Sequence, residues 1–157
     1  MLTSDQTAQL DEVLVRELLP SDAEEAAALS AELGYPVPAE MLRSRLEGFR
    51  VCSDHVIYAA CVVGHVVGWI DVGVVHHLVS EPYGEIGGLI VSAGYRGQGI
   101  GRKLMACAEL WIAGRGFNSV LVRSRVSREA AHAFYLAQDY RHIKTSVVFM
   151  KQLPKSE

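Results

Sequence analysis

One stretch constrains this chain more than any other: Tyr95-Arg96-Gly97-Gln98-Gly99-Ile100-Gly101-Arg102-Lys103. It follows an apolar run at 85–92, Glu-Ile-Gly-Gly-Leu-Ile-Val-Ser, that reads as a strand. It precedes a helical pattern over about 99–113, with Ile100, Leu104, Cys107/Ala108 and Trp111 on one face. A glycine-rich turn between strand and helix presents backbone N–H groups at the positive end of the helix dipole, an arrangement that binds phosphate. Glycine suits such a turn because a Cβ holds an anion away and because positive φ is costly for other residues. Arg96, Arg102 and Lys103 add cationic charge on or beside it. Spacing excludes two other phosphate sites. A P-loop needs Gly-Lys followed by Ser or Thr, and here Gly101 precedes Arg102. A dinucleotide fingerprint needs an acid about twenty residues on. That region holds Ser119-Val120-Leu121. On the glycines alone, a purely structural turn explains the stretch as well as a binding turn does.

The flanking patterns describe one compact α/β (α+β) fold. A strand is expected over 12–19, ended by Pro20, and Ser21-Asp22-Ala23-Glu24 reads as a capping box for a helix to Leu33. Gly34, Pro36 and Pro38 separate it from a second helix over about 39–48, whose Leu42, Leu46 and Phe49 share a face. Runs at 56–63 and 65–75 meet at Gly64 as a hairpin. After the glycine-rich turn and its helix come a strand at 120–124, a helix at 128–138 and one or two strands over 140–151. The order β-α-α-β-β-β-α-β-α-β-β combines hairpins with strand–helix–strand crossings, so the expected architecture is a mixed central sheet flanked by helices on both faces. At 157 residues the chain is one domain, 1–157, with its core at about 12–153 and loose ends.

Composition narrows the setting. A net charge of −3 lacks the basic surplus of nucleic-acid binders. The apolar runs are broken well short of a membrane span. Acids at Asp5, Asp11 and Glu12 are unlike a signal peptide, and a cytoplasmic protein is expected. Cys52, Cys61 and Cys107 are odd in number and read as buried, reduced thiols. None has metal-ligand spacing with a histidine, so no metal is expected.

The pattern Arg96-x-x-Gly99-x-Gly101, after an apolar strand and opening a helix, resembles the pyrophosphate-binding motif of the GCN5-related N-acetyltransferases (GNAT). Ala131-His132-Ala133-Phe134-Tyr135, followed by Asp139-Tyr140, is similar to that family's later helix with its tyrosine. The order of elements matches from about 12 to 153. The resemblance implies an acetyl-CoA-dependent enzyme in which Arg96, Gly97, Gln98, Gly99, Ile100, Gly101, Arg102 and Lys103 hold the pyrophosphate. It also implies that the pantetheine arm lies along Leu89, Ile90 and Val91. Two positions depart from the pattern: Arg128 stands where an asparagine often opens the helix, and Asp139 where a glycine usually precedes the final aromatic. Arg128 is counted with the cofactor-binding residues.

Gly87 and Gly88 mark either a bulge or a close approach of ligand to backbone. The resemblance implies that Tyr135 is the general acid for the departing thiolate, a phenol being protonated at neutral pH. The plain alternative is a tyrosine packed beside Phe134. Glu85, eleven residues before Arg96, is the candidate base, in a register similar to that of protein-acetylating members. His76 and His77 are rivals, and adjacent histidines on a strand point to opposite faces. The expected acceptor is a small-molecule primary amine, since no acidic block is present to attract a basic protein tail. A protein or peptide acceptor, and a non-catalytic acetyl-CoA sensor, are the alternatives. An exposed edge in the final strands makes a homodimer an option.

Overall fold

The structure, a computed structural model, describes residues 12–157. The loose segment expected at 1–11, with the acids at Asp5 and Asp11, lies outside the described residues. Contacts divide the chain into two units, the first ending at Arg123 and the second being Ser124–Glu157.

The first unit contains β1 (Leu14–Glu17), α1 (Ala23–Glu32), α2 (Ala39–Arg50), β2 (His55–Val62), β3 (His65–Val75), β4 (Tyr83–Val91), α3 (Ile100–Gly114) and β5 (Val120–Val122). The sheet order is β1-β2-β3-β4-β5. All pairs are antiparallel except β4 with β5, which are parallel, so the sheet is mixed. The β2–β3 hairpin turns at Val63 and Gly64, with φ of 49° and 78°. Two successive positive φ values suit the right-handed twist of a tight hairpin. Gly64 adopts that geometry readily, whereas a β-branched valine there is unusual.

The expected Ser21–Glu24 cap is replaced by another device. Asp22 accepts the Leu19 N–H at 2.8 Å and receives the Arg16 guanidinium through two bonds of 2.7 and 2.9 Å. A short 3-10 turn, Pro20–Asp22, then leads into α1 with no side-chain cap of its own. The bidentate pair with Arg16 holds the Asp22 carboxylate below its ordinary pKa of 3.8.

One face of the sheet packs on α1 and α2 through Leu29, Leu42 and Leu46, which meet Leu18, Ala59, Cys61, Val66, Trp69 and Ile90. The other face receives α3, whose Ile100, Leu104, Met105, Ala108 and Ile112 are fully buried. Gly84 permits that approach: a Cβ there would stand 2.1 Å from the Ile112 Cδ1. Cys61 is buried, Cys107 half-buried and Cys52 exposed, and all three are free thiols. The expectation of three buried thiols therefore fails for Cys52, which lies beyond α2 in the turn before β2.

The second unit contains α4 (Glu129–Ala137), with Arg128 at its N-cap. Asp139 follows at φ 67°, which explains why a glycine is usual at this position; aspartate is one of the few other residues that tolerate it. The strands expected over 140–151 are absent, since the residues after Asp139 belong to no helix or strand. A strand is defined by hydrogen bonds to a neighbour, and sequence pattern alone does not supply one.

Candidate active site

The turn after β4 begins with a corner held from α1. The Glu32 carboxylate accepts the Ala93 N–H at 3.2 Å and the Ser92 hydroxyl at 3.3 Å. A 3-10 turn, Ala93–Tyr95, follows, and the Arg96 Nε donates to the Val91 carbonyl at 3.0 Å. Gly97 and Gly99 then take φ of 77° and 81°, with nothing within 4 Å of a Cβ built on either. Both glycines are therefore required by backbone geometry, not by crowding. Gly99 is the N-cap of α3, and the first helical amide bond runs from the Lys103 N–H to the Gly99 carbonyl at 3.1 Å. The N–H groups of Ile100, Gly101 and Arg102 precede it and have no carbonyl one turn behind them. Arg102 and Lys103 are exposed and join no ion pair among the described residues. Open space, oriented donors and unpaired cations fit an anionic diphosphate.

The strand leading into this turn is irregular in a useful way. Asp71 pairs with Gly88 and Val72 with Ile86, so Gly87 is an extra residue in β4 and forms a bulge. β5 pairs only with Gly84, Glu85 and Ile86. Beyond the bulge, Leu89, Ile90 and Val91 pair with Ile70, Trp69 and Gly68 on the β3 side. On their other side no strand among the described residues pairs with β4. That open edge offers backbone groups to an extended ligand with amides of its own.

On the α1/α2 face of the bulge the structure gathers three titratable residues. Asp71 Oδ1 lies 2.5 Å from His55 Nε2, and the His55 ring stacks on Phe49 of α2 with centroids 4.1 Å apart. A Cβ on Gly87 would stand 3.3 Å from the Asp71 carboxylate, and one on Gly73 would stand 3.0 Å from His55 Nδ1. Glu85 pairs directly with Gly73, which puts its side chain on the same face. Glycines at 73 and 87 thus leave room for the side chains. Gly88 does the same for Trp69, whose ring would be 3.0 Å from a Cβ and whose buried indole N–H has no hydrogen-bond partner among the described residues.

Glu85, the expected base, is half-buried and accepts the Arg123 Nε at 3.2 Å. Its histidine rivals leave the site. His76 Nε2 stands 3.5 Å from Asp54 and its ring meets the edge of Phe117, while His77 contacts the Tyr83 hydroxyl at 3.3 Å. Asp71 and His55 went unread in the sequence. Their only signal was the pairing of β2 with β3, which brings positions sixteen apart together.

In the second unit, Tyr135 lies between two aromatic rings, Phe134 at 5.4 Å and Tyr140 at 6.0 Å between centroids. Burial raises its phenol above the ordinary 10.0, with Arg128 pulling weakly the other way. Tyr135 is therefore a protonated donor throughout the neutral range.

The sequence profile of the acetyltransferase (GNAT) family matches residues 21–140. The aminoglycoside N(6')-acetyltransferase type 1 of Stenotrophomonas maltophilia is 29% identical over 147 residues, 90% of this chain and 95% of its own length. The aminoalkylphosphonate N-acetyltransferase of Salmonella typhimurium is 37% identical over 79 residues, about half of each chain. Among solved structures, aminoglycoside N-acetyltransferase AAC(6')-Iy in complex with CoA superposes with a TM-score of 0.83 at 16% identity, over 91% of this chain and 97% of that one. That likeness shows the shared fold.

Proposed function

The chain belongs to the acetyltransferase (GNAT) family and is an N-acetyltransferase that uses acetyl-CoA; from that premise we propose that its acceptor is a primary amine on a small cationic molecule, of the aminoglycoside class. The observation that carries this reading is the face at the β4 bulge, where Asp71, His55 and Glu85 stand over glycines. Two carboxylates on one face attract a molecule carrying several ammonium groups. The full-length similarity to an aminoglycoside acetyltransferase supports the same class.

Acetyl-CoA supplies the acetyl group activated as a thioester. The chain's own residues do the rest. The N–H groups from Gly97 to Gly101, with Gln98 and Ile100 in the same turn, bind pyrophosphate oxygens. Arg96, Arg102 and Lys103 balance their charge, and Arg128 at the start of α4 is assigned to the same task. Backbone groups of Leu89, Ile90 and Val91 receive the pantetheine arm along the open edge. Asp71 anchors an acceptor ammonium, oriented by His55. Glu85 accepts the proton of the attacking amine, directly or through water, and Tyr135 donates one to the departing thiolate. Attack on the thioester is direct, with no acyl-enzyme.

We read residues 1–157 as a single acetyltransferase domain acting in the cytoplasm, where a free exposed thiol such as Cys52 stays reduced. No helix among the described residues is long and apolar enough to cross a membrane.

The test is thiol release from acetyl-CoA with a panel of aminoglycosides, polyamines, aminoalkylphosphonates, amino acids and peptides, compared by kcat/KM. The reading expects aminoglycosides to lead. A peptide or protein amine preferred by orders of magnitude overturns it, and binding of acetyl-CoA with no amine-dependent release favours a sensor.

A further inference from the structure

A carboxylate at the C-terminus of a helix opposes the helix dipole, and α1 carries one there: Glu32 is its last residue. No basic residue stands in that last turn to offset it. Glu24 and Glu25, in the first turn, lie where the dipole favours acids. The place of Glu32 therefore needs another reason, and its two oxygens supply one. Oε2 accepts the Ala93 N–H at 3.2 Å, and Oε1 accepts the Ser92 hydroxyl at 3.3 Å. Ala93 opens the 3-10 turn Ala93–Tyr95, and Ser92 at its N-cap makes no side-chain cap. Glu32 caps that turn from another element.

A second carboxylate shows how α1 is used here. Glu25 is seven residues before Glu32, two turns back on the same face of the helix. It accepts the Val66 N–H, at the start of β3, at 3.1 Å. The Ser92 N–H donates to the Val67 carbonyl at 2.8 Å, so both held points lie at one end of the sheet. Glu25 fastens the strand there, and Glu32 fastens the turn beyond it.

We infer that Glu32 is a positioning residue for the cofactor: it fixes the start of the 95–101 turn, so that the amides from Gly97 to Gly101 are in place before CoA arrives. The inference rests on the assignment of the diphosphate to that turn. Gly97 and Gly99 take positive φ in open space, so no side chain packed against them holds the loop in shape. Its form depends on its two ends. One end is α3, and the other is held by Glu32 and by the bond from the Arg96 Nε to the Val91 carbonyl. A negative charge beside this turn repels a diphosphate, so what Glu32 contributes is its hydrogen bonds and not its charge. Glutamine can make both contacts without the charge. Its amide oxygen accepts the Ala93 N–H, and its amide N–H donates to the Ser92 hydroxyl oxygen.

The experiment uses the full-length chain, CoA titration by calorimetry and hydrogen exchange of the amides at 93–101, with Gly99→Glu as the reference for the turn. Glu32→Ala should bind CoA roughly tenfold more weakly, as expected when the turn holds its receiving form about a tenth of the time. Faster exchange should be confined to the turn. Glu32→Gln should bind CoA at least as tightly as the parent, and Glu25→Ala should leave CoA affinity unchanged. Should Glu32→Ala fail to fold, Ser92→Ala removes one of the two contacts and should show part of the loss. A folded Glu32→Ala chain that binds CoA like the parent overturns the inference, while abolished binding in Gly99→Glu leaves the turn assignment standing. An equal loss in Glu25→Ala overturns it by making the docking of α1 the cause. A loss in Glu32→Gln as large as in Glu32→Ala overturns it by making charge the cause. CoA binding that survives Gly99→Glu overturns the turn assignment and this inference with it.

Discussion

The Asp71 carboxylate meets His55 Nε2 at 2.5 Å directly over Gly87, the extra residue of the β4 bulge. Each partner is half-buried, and the stacked Phe49 ring holds His55 in place. If this pair anchors the acceptor, Asp71→Asn removes the charge that holds an ammonium. A hydrogen bond to a charged group is worth about 1.5–3 kcal/mol. KM for a cationic amine should therefore rise roughly ten- to a hundredfold, with CoA affinity unchanged. Initial-rate kinetics beside CoA titration check this, and an unchanged KM removes Asp71 from the acceptor site.

Gly99 caps α3 at φ 81° in open space, so substitutions there test the turn without crowding the core. Gly99→Ala should cost about 1–2 kcal/mol of stability through the left-handed backbone. Gly99→Glu adds a negative charge where the diphosphate is expected and should abolish measurable CoA binding in calorimetry. A folded Gly99→Glu chain that binds CoA like the parent would place the cofactor elsewhere.

Tyr135→Phe keeps the ring between Phe134 and Tyr140 and removes the proton donor. General acid catalysis contributes about a hundredfold or more, so kcat should fall by that order with little change in cofactor affinity. Burial raises the phenol above 10.0. The donor form is thus complete at neutral pH, and any loss of rate from its ionisation must lie above pH 10. A Tyr135-dependent loss of kcat between pH 7 and 9, or an unaltered kcat in the variant when chemistry limits the rate, contradicts the assignment.

Asp22 links β1 to α1 through Arg16 and the Leu19 N–H. Its pKa is depressed in the folded chain, chiefly by the hydrogen bonds with Arg16. The unfolded chain therefore binds the proton first, and the stabilisation is present above about pH 4. It is lost as pH falls through the lower, folded value. Asp22→Asn should lower stability at pH 7 by about 1.5–3 kcal/mol and flatten the acid limb of a pH–stability curve. Urea denaturation at pH 7 and pH 3 reads both. A variant that keeps the parent's acid limb shows that another carboxylate governs it.

What was legible in the sequence follows from how local each signal is. The turn at 95–103 announces itself because three glycines and two flanking patterns are consecutive, and Gly97 and Gly99 indeed take positive φ. Gly87 and Gly88 announce either a bulge or a close approach to the backbone, since a strand interior seldom tolerates two glycines, and the register shows a bulge. The partners of residue 71 were not legible. Asp71 meets His55 only once β2 and β3 pair in one register, and nothing local to either residue encodes that register. The side-chain cap expected at α1 does not form, because the Asp22 carboxylate turns back to Arg16, remote in the sequence pattern, and to the Leu19 N–H. The strand pattern over 140–151 comes from composition alone, and the described residues after Asp139 belong to no strand.

The central claim is that this chain moves the acetyl group of acetyl-CoA onto a primary amine. The most direct measurement is mass spectrometry of an aminoglycoside incubated with acetyl-CoA and the purified chain, with the Gly99→Glu chain as control. The account predicts that the aminoglycoside gains one acetyl group on an amine nitrogen, that free CoA appears in equal amount, and that the control produces neither. An aminoglycoside and other amines of the panel left unmodified by a chain that binds acetyl-CoA would contradict it.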